Sequence, residues 1–159
     1  MILEHRGARP TIDPSAYVAP TAVVCGDVHV GPGARILFGA VLTAEDGRVE
    51  VGRNCVVMEN ALVRGREGHP ARLGDDVLVG PHAHVNGAEV AAGCFVATGA
   101  ALFPGARLGT GCEVRIHGVV HVNSVLAPGT VVPIGWIAAG LMRRQSEFFG
   151  AHREDRECG

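Results

Sequence analysis

Aliphatic residues recur every six positions along most of the chain, and this period dominates the sequence. An α-helix repeats about every 3.6 residues and a strand every two, so neither element alone explains the spacing. A solenoid does, if each hexapeptide supplies one short strand and one bend and three hexapeptides complete a coil. The sequence therefore predicts an all-β solenoid. The residues in this register are Ile12, Val18, Val24, Val30, Ile36, Leu42, Val51, Val57, Val63, Leu73, Val79, Val85, Val90, Val96, Leu102, Leu108, Val114, Val120, Leu126 and Val132.

Every third aliphatic residue should stack on one side of a three-sided coil, which gives three columns. The first column is predicted to hold Val18, Ile36, Val57, Val79, Val96, Val114 and Val132. The second holds Val24, Leu42, Val63, Val85, Leu102 and Val120. The third holds Ile12, Val30, Val51, Leu73, Val90, Leu108 and Leu126.

Three steps of the register differ from six residues, and all three begin in the second column. They run from Leu42 to Val51, from Val63 to Leu73, and from Val85 to Val90. The irregular segments should therefore stack at one corner, between the second and third columns, which we call the insertion corner. Loops that cluster on one edge of a solenoid commonly form its working surface. A site that merely tolerates insertions is the alternative.

The ends of the register divide the chain into a lead-in at 1–11, the repeat at 12–137, and a C-terminal part at 138–159. Apolar residues at Leu141, Met142, Phe148 and Phe149 predict a short helix over 141–149 that caps the solenoid. No stretch is apolar enough to span a membrane, and the N-terminus has no apolar signal segment. We therefore expect a cytoplasmic protein without a membrane partner.

Composition agrees with a narrow, repetitive interior. The chain of 159 residues has 23 glycines, only 4% aromatic residues and a net charge of −2, so no nucleic-acid partner is expected. Its five cysteines are widely spaced, which argues against a disulfide framework. Cys55, Cys94 and Cys112 each lie four residues after a repeat aliphatic, where alanine otherwise predominates. That slot should hold small buried residues, and a reduced cysteine fits it.

Several segments resemble a known family. The segment 16–28 (AYVAPTAVVCGDV), the short step at 85–90 and the segment 126–133 (LAPGTVVP) are similar to the γ-class carbonic anhydrase-like branch of the hexapeptide-repeat superfamily. The resemblance implies a left-handed parallel β-helix with three strands per coil. It also implies a homotrimer with sites between subunits.

The resemblance further implies three histidines that bind zinc, but this chain has other residues in those places. Arg64 stands at the first, and Pro81 and Asn86 stand at the other two. Arginine is a permanent cation, proline has no ligating side chain, and an amide is a poor zinc ligand. We therefore predict no zinc cofactor. Zinc-dependent hydration of carbon dioxide is not expected, because nothing would lower the pKa of a bound water.

Other histidines in the chain could form a metal site at a different place. His82 and His84 form one close pair in sequence, and His117 and His121 form another. His82 and His117 fall two coils apart, roughly 10 Å, which exceeds the reach of one zinc ion within a subunit. A histidine of a neighbouring subunit would be needed to complete a site. Solvated or interface-lining histidines are the alternative.

The candidate pocket is polar and lies near the insertion corner. Arg64 should pair with Glu45 or Glu59 and supply the positive charge that a metal would have supplied. Such a pocket would take a small anion or another small polar molecule. Its candidate residues are Glu45, Glu59, Arg64, His82, His84 and Asn86.

Two other functions remain open. Many hexapeptide-repeat proteins are similar in fold and transfer acyl groups from acyl-coenzyme A, with a histidine as general base, a role that His82, His84 or His117 could fill. The long insertion loop common in those enzymes is absent, since the longest insertion runs only from Arg64 to Arg72. The second alternative is a carbonic anhydrase with a displaced metal site.

Overall fold

The computed structural model describes residues 1–142, which form a three-sided parallel β-solenoid. The short strands stack in register on three flat faces, and the chain visits the first, second and third face in turn. Each face carries the column of the same number.

The strands of the first face form one seven-stranded parallel sheet. They are β3 (Tyr17–Val18), β5 (Arg35–Ile36), β7 (Val56–Val57), β10 (Leu78–Val79), β13 (Phe95–Val96), β16 (Glu113–Val114) and β19 (Val131–Val132).

The second and third faces are joined into one sheet, because two longer strands run through the insertion corner. These are β4 (Val23–Val30) and β6 (Val41–Val51). The second face also has β1 (Ile2–Leu3), β8 (Leu62–Arg64), β11 (His84–Asn86), β14 (Ala101–Leu102), β17 (Val119–Val120) and β20 (Ile137–Ala138). The third face also has β2 (Thr11–Ile12), β9 (Ala71–Leu73), β12 (Glu89–Val90), β15 (Arg107–Leu108), β18 (Val125–Leu126) and β21 (Leu141–Met142).

The strand register confirms all three predicted columns. Ile36 aligns with Val57 on the first face, Val63 with Val85 on the second, and Leu73 with Val90 on the third. From Val24 to Val132 these column residues point inward and are at most 4% exposed. They form a continuous aliphatic core that runs the length of the solenoid.

The small slot after each column residue is also as predicted. Cys55, Cys94 and Cys112 are buried, unpaired and at most 1% exposed. Their thiols donate to the carbonyl oxygens of Gly74, Gly109 and Ala127 at 2.9, 3.1 and 3.1 Å. Burial raises the pKa of the Cys55 thiol, so this side chain is a structural residue rather than a nucleophile.

The outer surfaces of the second and third faces differ sharply in chemistry. On the second face the outward residues that directly precede the column aliphatics are apolar except one, in the order Val23, Val41, Leu62, His84, Ala101, Val119 and Ile137. On the third face they are mostly charged, in the order His29, Glu50, Arg72, Glu89, Arg107 and Val125. The third face is therefore the better hydrated one.

The insertion corner is built from backbone packed on backbone. A Cβ atom placed on Gly65 would lie 1.9 Å from the carbonyl oxygen of Gly47, so no larger residue fits there. The next segment forms a tight hairpin, in which Arg66 and His69 exchange two backbone hydrogen bonds of 2.9 Å. These contacts fix where Glu45, Arg64 and the hairpin stand relative to one another.

The C-terminal helix predicted for 141–149 is not shown. Leu141–Met142 forms β21, whose residues align with Val125 and Leu126, so the third column continues where the helix should begin. Residues 143–149 lie outside the described part of the chain. Within residues 1–142 no helix has the length and hydrophobicity of a membrane span.

Candidate functional site

The candidate site lies where the second face meets the insertion corner. Arg64 aligns with Thr43 in the coil before it and with Asn86 in the coil after it. Each of these residues directly follows a second-column aliphatic, so its side chain points outward. Arg64 and Asn86, which the sequence placed on consecutive coils, are therefore neighbours.

Arg64 pairs with a carboxylate as expected, and the partner is Glu45 rather than Glu59. The guanidinium Nη2 donates to Glu45 Oε2 at 3.0 Å. The Arg64 side chain is 30% exposed and that of Glu45 is 52% exposed. An ion pair this exposed contributes little to stability, at most about 1 kcal/mol. Its role is to orient the guanidinium at the place where the family resemblance expects a metal ligand.

Three adjacent side chains have buried polar atoms without a hydrogen-bond partner among the described residues. These atoms are Arg64 Nε, His84 Nε2 and Asn86 Oδ1. Buried polar groups in folded proteins are normally satisfied, because an unmade hydrogen bond costs about 1–3 kcal/mol. The three atoms belong to residues on two neighbouring strands, and no described residue supplies their hydrogen bonds.

His84 is held in its neutral form. Burial lowers the pKa of its imidazole, and the positive charge of Arg64 lowers it further. A neutral imidazole carries one donor and one acceptor, so His84 can both give and take a hydrogen bond at this site.

Glu59 and His82 are not brought to Arg64 within the chain. Both lie at the corner where the chain passes from the first to the second face, and the His82 backbone N–H donates to the Glu59 carbonyl at 3.1 Å. His82 occupies a left-handed turn position there, with φ of 56°. The second face therefore has Glu59, Pro81 and His82 at one edge and Glu45, Arg64 and Asn86 at the other.

The remaining histidine candidates are likewise dispersed. His117 occupies the same turn position as His82, with φ of 54°, and Gly99 stands at this position in the coil between them. His121 is exposed, and its ring centroid lies 6.4 Å from that of Phe103. Within residues 1–142 no three His, Cys, Asp or Glu side chains are grouped so that they could hold a metal ion.

Zinc does not fit the site on donor chemistry. The Arg64 guanidinium places a fixed positive charge at the corner, and proline at position 81 offers no ligand atom. Asn86 offers only an amide oxygen, which zinc binds poorly. The residues present suit an anion better than a cation.

Phe103 is a residue of the site that the sequence reasoning missed. It follows Leu102 just as Arg64 follows Val63 and Asn86 follows Val85, so it lies on the next coil of the same corner. The repeat register was sufficient to find it. Phe103 gives the polar site an aromatic boundary on the side away from Glu45.

Comparison with known proteins gives the same fold and branch. A scan against protein-family models finds no match. Gamma carbonic anhydrase 1, mitochondrial, of Arabidopsis thaliana is 34% identical over 137 residues, covering 82% of this chain and 48% of the relative. Gamma carbonic anhydrase 2, mitochondrial, of the same plant is 32% identical over 137 residues, covering 82% and 47%. The chain thus spans about half the length of the curated relatives it matches. Because these relatives are mitochondrial by name, a cytoplasmic location stays a prediction.

Solved structures agree on architecture. A hexapeptide transferase family protein from Anaplasma phagocytophilum superimposes with a TM-score of 0.64 at 22% identity, covering 98% of this chain and 92% of that one. A UDP-N-acetylglucosamine acyltransferase from Bacteroides fragilis gives 0.63 at 18% identity, covering 83% and 68%. At such identities the likeness concerns the fold alone. The chain is thus a hexapeptide-repeat β-solenoid that is similar in sequence to the gamma carbonic anhydrases over 82% of its length.

Proposed function

We propose that this chain assembles into a homotrimer whose inter-subunit pocket binds a small anion, and that it does not hydrate carbon dioxide through zinc. The observation that carries the proposal is the group of three unsatisfied buried polar atoms around the Arg64 guanidinium. These atoms need partners that the chain itself does not supply.

The donors at the site match an anion. Arg64 Nε carries a hydrogen that is not used by Glu45, which binds Nη2 instead. Neutral His84 donates through Nε2 in one of its two tautomers. The Asn86 amide presents its N–H₂ group instead of its oxygen after a flip of the side chain. Three convergent donors beside a fixed positive charge suit a carboxylate-like anion such as bicarbonate.

The apolar second face supports the assembly. Its outward residues on either side of His84 are Leu62 and Ala101, which gain from burial against another subunit. Because Glu59 and His82 border the opposite edge of the same face, a cyclic arrangement would bring them from one subunit toward Arg64 of the next. The pocket would then be completed between subunits.

Measurements on one protein preparation also test the two alternatives, an acyltransferase and a hydratase with a displaced metal site. An acyltransferase would bind acetyl-coenzyme A and would use a histidine as base, but the solved transferases share only the fold with this chain. A hydratase with a displaced metal site would need a histidine from a second subunit beside His82 or His84.

The experiment combines metal analysis, a hydration assay and calorimetry on protein purified without chelator. We expect zinc far below one per chain, hydration at the buffer rate, and bicarbonate binding that Arg64→Gln weakens at least tenfold. Arg53→Gln is the matched control, because Arg53 is exposed and forms no ion pair within residues 1–142. Stoichiometric zinc with hydration activity would establish the displaced-metal alternative, and saturable acetyl-coenzyme A binding would favour the transferase.

A further inference from the structure

A second concave site lies on the third-face side of the insertion corner. It is a groove of about 290 Å³ beneath the hairpin that Arg66 and His69 close. None of its lining residues belongs to the Arg64 site. The residues used in the argument below are His69, Pro70, Glu89, Arg107, Asn123 and Val125.

The groove exists because the hairpin folds over glycine backbone. A Cβ atom on Gly87 would lie 2.9 Å from the His69 carbonyl oxygen, and one on Gly105 would lie 3.3 Å from Cε1 of the His69 ring. A Cβ on Gly105 would also lie 2.1 Å from Asn123 Oδ1. The floor is therefore bare backbone, and the His69 ring and the Asn123 amide both border it.

Charge along the third face leaves one cation unmatched in this groove. Arg72 is paired on both sides, with Glu50 at 3.0 Å and with Glu89 at 3.4 Å. Arg107 is the next residue of this ladder after Glu89, and the residue after it is Val125. Arg107 forms no ion pair among the residues that the structure describes, whereas the charge of Glu89 is already partly balanced by Arg72.

We propose that this groove binds the oxyanion group, carboxylate or phosphate, of a small molecule. The planar guanidinium of Arg107 donates two parallel hydrogen bonds to such a group. The His69 ring supplies a further donor, and the Asn123 amide supplies another after the flip that exchanges its oxygen and its N–H₂ group. Pro70 and Val125 provide apolar walls for the remainder of the ligand. This proposal does not depend on the function proposed for the Arg64 site.

The test is a titration of the full chain, labelled with ¹⁵N, with inorganic phosphate and separately with acetate. The backbone amides of Gly87, Gly105 and Asn123 report on the groove. We expect saturable shifts at these amides with at least one probe, and Arg107→Gln should weaken that binding at least tenfold. Arg107→Lys should bind the probe with an affinity between those of the wild type and Arg107→Gln, because lysine keeps the positive charge but cannot donate two parallel hydrogen bonds.

Arg35→Gln is the matched control. Arg35 directly precedes the inward Ile36, as Arg107 precedes Leu108, and it too is exposed and without an ion pair in the described residues. Saturable shifts with phosphate alone, with acetate alone or with both probes identify which oxyanion class the groove binds. Absence of saturable shifts with both probes, or equal binding by Arg107→Gln, would overturn the proposal.

Arg64→Gln separates this groove from the inter-subunit pocket. It should weaken bicarbonate binding there at least tenfold and leave the shifts at Gly105 and Asn123 unchanged. Loss of the groove shifts in this variant would mean that the two features are one site, which would also overturn the proposal.

Discussion

At the scale of single residues, the environment decides what each polar side chain of the site can do. Arg64 keeps its charge in any surroundings, so it acts as a fixed cation beside Glu45. His84 lies next to that cation and between apolar residues, and both effects favour its neutral form. The arginine at position 64 thus also changes the chemistry of the neighbouring histidine.

The lowered pKa of His84 makes a prediction about pH. Because the unfolded chain holds this proton at a higher pH than the folded chain does, the unfolded state binds more protons in the window below about pH 6.5. The contribution of His84 is therefore fully present above that pH and is lost as the pH falls toward the folded pKa. Between pH 7.5 and 5.5 the melting temperature should fall, and His84→Gln should reduce that fall by roughly 1–3 °C.

Thermal unfolding at one fixed protein concentration measures this effect. His121→Gln serves as the control, since His121 is exposed and lies two coils away at the insertion-corner edge of the same face. An identical pH dependence for the His84 variant and the wild type would contradict the argument.

At the scale of elements, the insertion corner owes its shape to two glycines that touch. Gly65→Ala would force a Cβ atom to within 1.9 Å of the Gly47 carbonyl oxygen, so the backbone must move. We expect a loss of about 1–3 kcal/mol in the free energy of unfolding, together with displacement of Arg64 from Glu45. Denaturant unfolding measures the first, and bicarbonate calorimetry measures the second.

Gly93→Asn is the control for this substitution. Gly93 has φ of 67°, and no atom lies within 4 Å of the position that a Cβ atom would take there. Asparagine adopts similar angles at Asn54 and Asn60 in this chain. The control should therefore change stability by well under 1 kcal/mol. If both variants unfold alike, the close approach at Gly65 is not what holds the corner.

The same elements indicate how far the sequence could lead. The columns were predictable, because an aliphatic residue at every sixth position fits a solenoid in which each hexapeptide contributes one inward side chain. Neither a helix nor a single strand has that period. Ala138, six residues after Val132, could have extended the second column by the same logic, and with it the solenoid. The groove under His69 could not be predicted, because the period describes only inward residues. The segment from Val63 to Leu73 folds back over Gly87 through backbone contacts, and the spacing of aliphatic residues does not predict such contacts.

At the scale of the whole molecule, the second and third faces differ in what they can pack against. The outer surface of the third face is an ion-pair ladder, in which Arg48 binds Asp27 at 2.9 Å and Arg72 binds Glu50 at 3.0 Å. Charged side chains that are paired in this way can remain exposed to water without a protein partner. Among residues 1–142, the positions that precede the second-column aliphatics form no such ladder, and the one polar residue among them, His84, is left with an unsatisfied buried atom. Of these two faces, the second is therefore the one whose apolar side chains would gain more from burial against a neighbouring subunit.

This contrast predicts which substitutions break the proposed trimer. Val119 and Val125 each precede an inward aliphatic, but Val119 lies on the second face and Val125 on the third. Val119→Glu would bury a charge in the interface, whereas Val125→Glu would add the next carboxylate to the ladder beside Arg107.

Size-exclusion chromatography with light scattering should give about three times the chain mass of 16.5 kDa for the wild type and for Val125→Glu. Val119→Glu should give the mass of one chain and weaker bicarbonate binding, since the pocket would lose its second wall. A wild-type protein that stays monomeric at tens of micromolar would rule out the inter-subunit pocket, because no second subunit would then border Arg64.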